Sequence, residues 1–371
     1  MNASAAVRPV ITGWSAVSPY GLDAGALAEG LRSGRPTATA LDTTRWQVPE
    51  GSAHLVPDFE VREILGKKGT RSMDRVTGLA VSAVRGLLGQ PDADPQRETG
   101  DRAALVLGTT TGSVASMMDF TRSSLEGARP FDVDPALMPN AVMNCAAGQA
   151  AIWHGLRGPN VTLAGGRTAS LAAVSYATRL LASGRADSVL CGAVEEFSAA
   201  RYWIEHHSRE PEAPETGIGE GCAMLLIQPS DAVSPERHAL AEVLAVRSRV
   251  AARVDDRELL AACVRSALDA AGVAPDEVWA AVPGEAPGTA GRTEVAALRA
   301  ALGERAEEAL TRVPAVSVLG DVTAASGAFQ IAILLSAAAA DQRAAAGRPV
   351  VLTSVDRDGA LACAVLRLGA A

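Results

Sequence analysis

Runs of β-branched and aliphatic residues ending in glycine or proline alternate along this chain with stretches whose apolar positions recur every three or four residues. Residues 7–21, VRPVITGWSAVSPYG, read as a strand closing in turn residues, and 103–113, AALVLGTTTGS, as a buried strand reaching a glycine turn. Between them MDRVTGLAVSAVRGLL, 73–88, has helical spacing. Leu171, Val174, Thr178 and Leu181 share one stripe of a helix that Gly184 stops, after which DSVLCGAVEE, 187–196, returns as a strand. GIGEGCAMLLIQP, 217–229, ends this half. Its glycines precede a strand rather than a helix, which argues against a dinucleotide fingerprint.

The second half repeats the scheme. Residues 238–250 are strand-like, 256–273 form a helix with a glycine stop, and VWAAVPG, 278–284, is a buried strand. A helix over 292–302, a strand PAVSVLG over 314–320, an apolar helix over 322–340 and two last strands, 350–355 and 362–368, complete it. The apolar helix approaches membrane-spanning length, but Thr323, Ser326, Gly327 and Gln330 mark it as a buried core helix. Alternation of strands and helices predicts parallel sheets covered on both faces. Two such halves, 1–230 and 231–371, predict an α/β protein built as a duplicated α/β/α/β/α sandwich.

Composition narrows the function. Of the 371 residues 48% are hydrophobic, much of that alanine and valine, and only 4% are aromatic, which suits close packing and leaves few rings to stack on bases. The net charge is −8 and no Lys/Arg cluster is read from the chain, which argues against nucleic acid and anionic membrane; an acidic partner would need a local basic patch. The five cysteines are scattered, most of them in apolar runs, without zinc spacing, as expected of small buried side chains in a reducing compartment. The opening residues lack a basic start followed by a long apolar stretch, so the expectation is a cytoplasmic protein without a secretion signal.

The stretch GPNVTLAGGRTASLAA, 158–173, is a strand, a two-glycine turn and a helix, the mount on which enzymes display a nucleophile. The tip residue is Arg167, whose guanidinium keeps its proton and cannot attack a carbonyl. Thr168, Ser170 and Thr323 are hydroxyls that could replace it, but each needs a base. His206 and His207 are adjacent, so they point apart and lack a third ligand; a solvated loop is expected there, with no metal.

VITGWSAVSPYG, ALVLGTTTGS, LMPNAVMNCAAGQAAIWHGLRGPNVTLAGGRTASLAA, ADSVLCGAVEE, GIGEGCAMLLI and GDVTAASGA together resemble the β-ketoacyl synthases of the thiolase fold over nearly the whole chain. The resemblance implies a thiolase-like fold. In catalytic members a cysteine at the elbow tip takes the acyl chain, and two histidines help decarboxylate the malonyl extender and stabilise the enolate. The matching positions here hold Arg167, Pro283 and Asp321, so the resemblance implies a vestigial active site without catalytic residues or cofactor. All five histidines precede residue 239, Val316 stands about where a lysine is expected, and the glycine-rich turn before the last strand has become VDRDGA, 355–360.

Loss of the whole set resembles the chain length factor, the ketosynthase β subunit of type II polyketide synthases. Such a subunit pairs with a catalytic α subunit, receives its chain on acyl carrier protein, and shapes that chain at the interface. The resemblance implies tunnel positions at Thr111, Gly112, Ser113, Met117, Val142 and Met143, and a dimer interface at Met138, Asn144, Asn160, Val161, Thr162 and Leu163. Many such factors carry glutamine at the tip, so Arg167 departs from them. The segment 196–216 is shorter than in typical members and resembles compact factors of systems making reduced, polyene-like chains. Two alternatives stay open: a malonyl-carrier decarboxylase or acyltransferase acting through Arg167 or a hydroxyl, and a homodimeric pseudo-ketosynthase scaffold.

Overall fold

The structure, a computed structural model, describes residues 8–42, 44–210 and 216–369. The leader expectation for residues 1–7 and part of the shortened segment, 211–215, lie outside the described residues. Nine strands make one sheet: β1 (Pro9–Val17), β2 (Ala103–Thr109), β3 (Asn160–Ala164), β4 (Ser188–Glu195), β5 (Gly221–Pro229), β6 (Ala241–Val250), β7 (Ala280–Val282), β8 (Pro349–Val355) and β9 (Ala360–Leu368). Their order is β3-β2-β4-β5-β1-β6-β9-β8-β7. The helices of ten or more described residues are α1 (Ala24–Ser33), α2 (Arg75–Leu88), α3 (Val114–Glu126), α4 (Cys145–His154), α5 (Ala169–Ala182), α6 (Ala199–Ser208), α7 (Arg257–Ala271), α8 (Thr289–Leu302) and α9 (Ser326–Ala340).

The sheet folds back on itself at a short ladder, where Val10 and Ile11 of β1 face Glu242 and Ala241 of β6. Leu171, Val174 and Leu181 of α5, with Ile331, Leu334 and Leu335 of α9, fill the space between its two arms. Helices α2 and α4 cover the outer face of the first arm, and α7 and α8 that of the second. The result is the five-layered, thiolase-like α/β architecture, with α9 buried at its centre rather than offered to a membrane. Gln330 pins α9 to the second arm, its Nε2 donating to the carbonyls of Val282 at 2.6 Å and Thr353 at 3.0 Å.

Three expectations are corrected. The sheet is mixed: only β2 with β3, β2 with β4 and β7 with β8 run parallel. Between β8 and β9 there is only a four-residue turn, too short for the crossover that parallel strands need, so they return antiparallel. Residues 314–320 are not a strand; Val316–Leu319 form a 3-10 turn, because burial falls at Val316 and Leu319, three apart, instead of alternating. That segment precedes α9 as β3 precedes α5, and the second arm, β7-β8-β9-β6, repeats the first without its outermost strand. His206 and His207 lie on α6, not in a loop; Ser198 caps that helix, and His206 stacks on Tyr202 with centroids 5.6 Å apart.

Candidate functional site around Arg167

Strand β3 ends at Ala164, and Gly166 takes φ +51 before a 3-10 turn, Gly166–Thr168, leads into α5. Glycine is required there: a Cβ at Gly166 would lie 2.0 Å from Asp356 Oδ2. Arg167 at the tip is 8% exposed. Its guanidinium donates to Asp321 Oδ2, its backbone N–H donates to Asp356 Oδ2 at 2.6 Å, and its carbonyl accepts from Ser354 Oγ at 2.8 Å. Every polar group of the tip residue that these bonds engage is therefore met by the second half of the chain.

Burial by itself would raise the Asp321 carboxyl, but the Arg167 and then the Arg201 guanidinium outweigh it and hold the group below the usual carboxylate range. Arg201, itself buried, donates to the Asp321 carbonyl at 2.9 Å, to Thr323 Oγ1 at 2.7 Å and to the carbonyls of Glu196 and Gly219 at 2.8 Å. These bonds fix Thr323 at φ +34, an unfavourable backbone for a β-branched residue. The hydroxyls near the tip are committed: Thr168 Oγ1 donates to the Gly165 carbonyl at 3.0 Å and Ser170 Oγ to that of Ala324 at 2.5 Å.

Beside the tip lies a cleft of about 340 Å³, walled by Arg167, Asp321, Asp356, Glu205, Pro287 and their neighbours. Among its described lining residues there is neither a cysteine nor a histidine. Pro283 is half-buried behind this wall, where the next amide, Gly284, donates to Glu294 at 2.9 Å; burial pushes the Glu294 carboxyl up to about 7. Chain order alone hides one histidine. His54 packs against Gly217 and Gly320, next to Asp321, yet its Nδ1 is 2.7 Å from Thr37 Oγ1 and the ring stays outside the cleft wall.

None of Thr111, Gly112, Ser113, Met117, Val142 and Met143 lines this cleft. Gly112, at φ +73, lies under the backbone of Met143, whose Cα would be 2.8 Å from an added Cβ. Ser113 caps α3 and donates to Glu196 Oε1 at 2.7 Å; burial first, then Asp74, push that carboxyl up to about 8. Met117, Val142, Met143 and Met138 are exposed, between 42 and 58%, with Thr111 and Asn144 beside them in the open. Asn160 is exposed and Val161, Thr162 and Leu163 half-buried on β3, whose outer edge has no strand beside it.

Sequence reading missed two features. Asp356 was visible only as part of a turn, because nothing local says that its carboxylate reaches an amide 189 positions away. The absence of a Lys/Arg cluster is also corrected. The chain's two lysines, Lys67 and Lys68, lie exposed just after the short helix Val61–Leu65 that carries Arg62; Arg62 donates to the carbonyl of the exposed Arg71 at 3.5 Å, and Arg85 donates to the Ile64 carbonyl at 2.9 Å. The doublet was legible, but the net charge of −8 masked its local sign.

A thiolase-like five-layered fold with a strand, glycine turn and helix at its centre defines a ketosynthase-type scaffold. Residues 8–232 match the family described as beta-ketoacyl synthase, N-terminal domain, and the chain belongs to the β-ketoacyl synthase family. It is similar to a solved structure, the ishigamide ketosynthase/chain length factor, with 47% identity, a TM-score of 0.92 and coverage of 98% of this chain and 99% of that one. Within the family its likeness is thus to the ketosynthase/chain length factor group. Among curated relatives, 3-oxoacyl-[acyl-carrier-protein] synthase 2 of Vibrio harveyi is 30% identical over 52% of this chain, and the match spans about half, 46%, of that protein. The enzyme of the same description from Staphylococcus aureus is 26% identical over 87% of this chain and 84% of its own length. A type II polyketide synthase acyl-carrier protein in complex with its ketosynthase shares the fold at a TM-score of 0.75 and 18% identity.

Proposed function

We propose that this chain is a non-catalytic chain length factor, pairing in the cytoplasm with a ketosynthase α subunit that supplies the cysteine and histidines. The observation carrying this reading is the occupied elbow. Acyl transfer at such a tip needs a nucleophile and a free amide to stabilise the oxyanion. Here the tip is a guanidinium matched to Asp321, and its amide is engaged by Asp356.

The partnership is supported by Met138, Val142, Met143 and Met117, an apolar surface of the kind that assemblies cover, next to the open edge of β3. Methionines suit the wall of a tunnel that holds chains of changing length, because their side chains adapt. The basic turn of Lys67 and Lys68 is the local cationic surface an acidic acyl carrier protein requires on an otherwise acidic subunit.

The test is reconstitution. With an intact ketosynthase α subunit and malonyl-loaded carrier, the pair elongates; this chain alone does not, and Arg167→Ala in the pair leaves elongation in place. Two-carbon elongation by the isolated chain overturns the reading. Carbon dioxide loss from malonyl carrier that vanishes in Arg167→Ala would instead favour the decarboxylase. A stable homodimer that ignores a co-expressed ketosynthase would favour the scaffold.

A further inference from the structure

We propose that Glu196 and Asp74 share one proton through Ser113 and Ser116, and that this proton holds the first turn of α3 to the first turn of α2. Ser113 Oγ lies 2.7 Å from Glu196 Oε1 and 2.9 Å from Ser116 Oγ, and Ser116 Oγ lies 2.9 Å from Asp74 Oδ2. All three separations are hydrogen-bond lengths, so the relay needs three protons, and its two hydroxyls carry one each. With Glu196 ionised, Ser113 donates to it and Ser116 donates to Asp74, which leaves the two hydroxyl oxygens facing each other at 2.9 Å with no proton between them. With Glu196 protonated, it donates to Ser113, Ser113 to Ser116 and Ser116 to Asp74, and every link is made.

The surroundings keep that proton in place. Glu196 is buried, and the guanidiniums packed around it are engaged elsewhere: Arg75 of α2 donates to Glu220 at 2.7 Å, and Arg201 of α6 donates to the backbone carbonyl of Glu196 at 2.8 Å. Of the other titratable groups beside the relay, Glu195 accepts from the Thr110 N–H at 2.6 Å, and the Cys145 thiol of α4 donates to Asn140 at 3.3 Å. Burial first, then Asp74, push the Glu196 carboxyl up to about 8, in keeping with a proton retained at neutral pH. The relay joins two helix caps: Asp74 Oδ1 accepts from the Thr77 N–H of α2 at 3.0 Å, and Ser113 Oγ from the Ser116 N–H of α3 at 3.1 Å. Loss of the proton to solvent breaks one link and loosens the turn that aims the exposed Met117. Only the consequence for a tunnel wall at Met117 rests on the chain length factor reading.

Carbon-13 NMR of the full chain labelled at its glutamate carboxyls tests the shared proton, the Glu196 signal being assigned by its absence in Glu196→Gln. The wild-type signal should remain that of a protonated carboxyl through neutral pH. Ser116→Ala should lower its midpoint by about one pH unit, the worth of one hydrogen bond, and Ser116→Thr, which keeps the hydroxyl, should leave it in place. A midpoint unmoved in Ser116→Ala means that burial alone holds the proton and overturns the proposal, as does a wild-type carboxyl ionised at neutral pH. If Ser116→Ala does not fold, amide signals decide. Those of Ser116 and Met117 should shift with the Glu196 midpoint in wild type and stay fixed in Glu196→Gln, whose carboxamide accepts from the Val76 N–H and donates to Ser113 at every pH; signals fixed in both overturn the proposal. In the reconstituted pair, product lengths should change across that midpoint with wild type and not with Glu196→Gln. Lengths alike in both, with the NMR result as expected, would refute Met117 as tunnel wall and leave the shared proton standing.

Discussion

Arg167 and Asp321, 154 positions apart, meet as an ion pair inside the fold, each side chain only 10% exposed. A buried pair stabilises little compared with an apolar pair of the same shape, yet removing one partner strands the other charge. Arg167→Ala or Asp321→Ala should each cost about 3–5 kcal/mol in urea unfolding. The joint replacement Arg167→Met with Asp321→Leu should cost less than either; a cost equal to the sum of the single ones would refute coupling.

Stability should depend on pH through two carboxyls of opposite sense, one lost in acid and one lost between about 4.5 and 8. Asp321 is held below its ordinary range, so its contribution is present above that range and is lost as pH falls through its folded value. Glu196 is raised from 4.5 to about 8, so the fold prefers its proton, and stability declines as pH rises between those values. Glu196→Gln, which cannot ionise, should flatten the decline between those values and leave the acid limb of Asp321 unchanged in thermal scans across pH.

An acidic residue at Met138 or Met143 should block assembly while sparing the fold, since both side chains are exposed in the single chain. Met143→Asp should elute as a free subunit in size-exclusion chromatography when co-expressed with a ketosynthase. Co-elution at wild-type yield would remove this surface from the interface.

Chain-length variants belong at Met117 and Met143 rather than at Gly112 or Ser113. Any side chain at Gly112 meets the Met143 backbone, and Ser113 is tied to Glu196, so changes there report on folding. Met117→Trp and Met143→Trp in the reconstituted pair should shorten the product, read by mass spectrometry. Unchanged lengths in both would speak against a tunnel role.

Lys67→Glu with Lys68→Glu should weaken binding of acyl carrier protein and reduce its salt dependence, with thermal stability unchanged, because both lysines lie exposed on the turn. Isothermal titration at two salt concentrations reads the difference. Carrier affinity equal to wild type would direct docking to the partner subunit instead.

Periodic burial made most elements legible. Leu171, Val174 and Leu181 declared α5, and the glycines before Arg167 declared the elbow, because helix spacing and positive φ are local demands. The strand expected at 314–320 did not form: its apolar residues suited a strand locally, but the fold buries only Val316 and Leu319, three apart on a 3-10 turn, and leaves the outer edge of β7 unpaired. The family scaffold and the tip residue are legible along the chain, since both are written in contiguous motifs. That Asp321 neutralises the tip and Asp356 takes its amide follows from the folding of the two halves onto each other. Those contacts join residues more than 150 positions apart, and no local spacing rule reports which distant carboxylate a folded chain brings to a given donor.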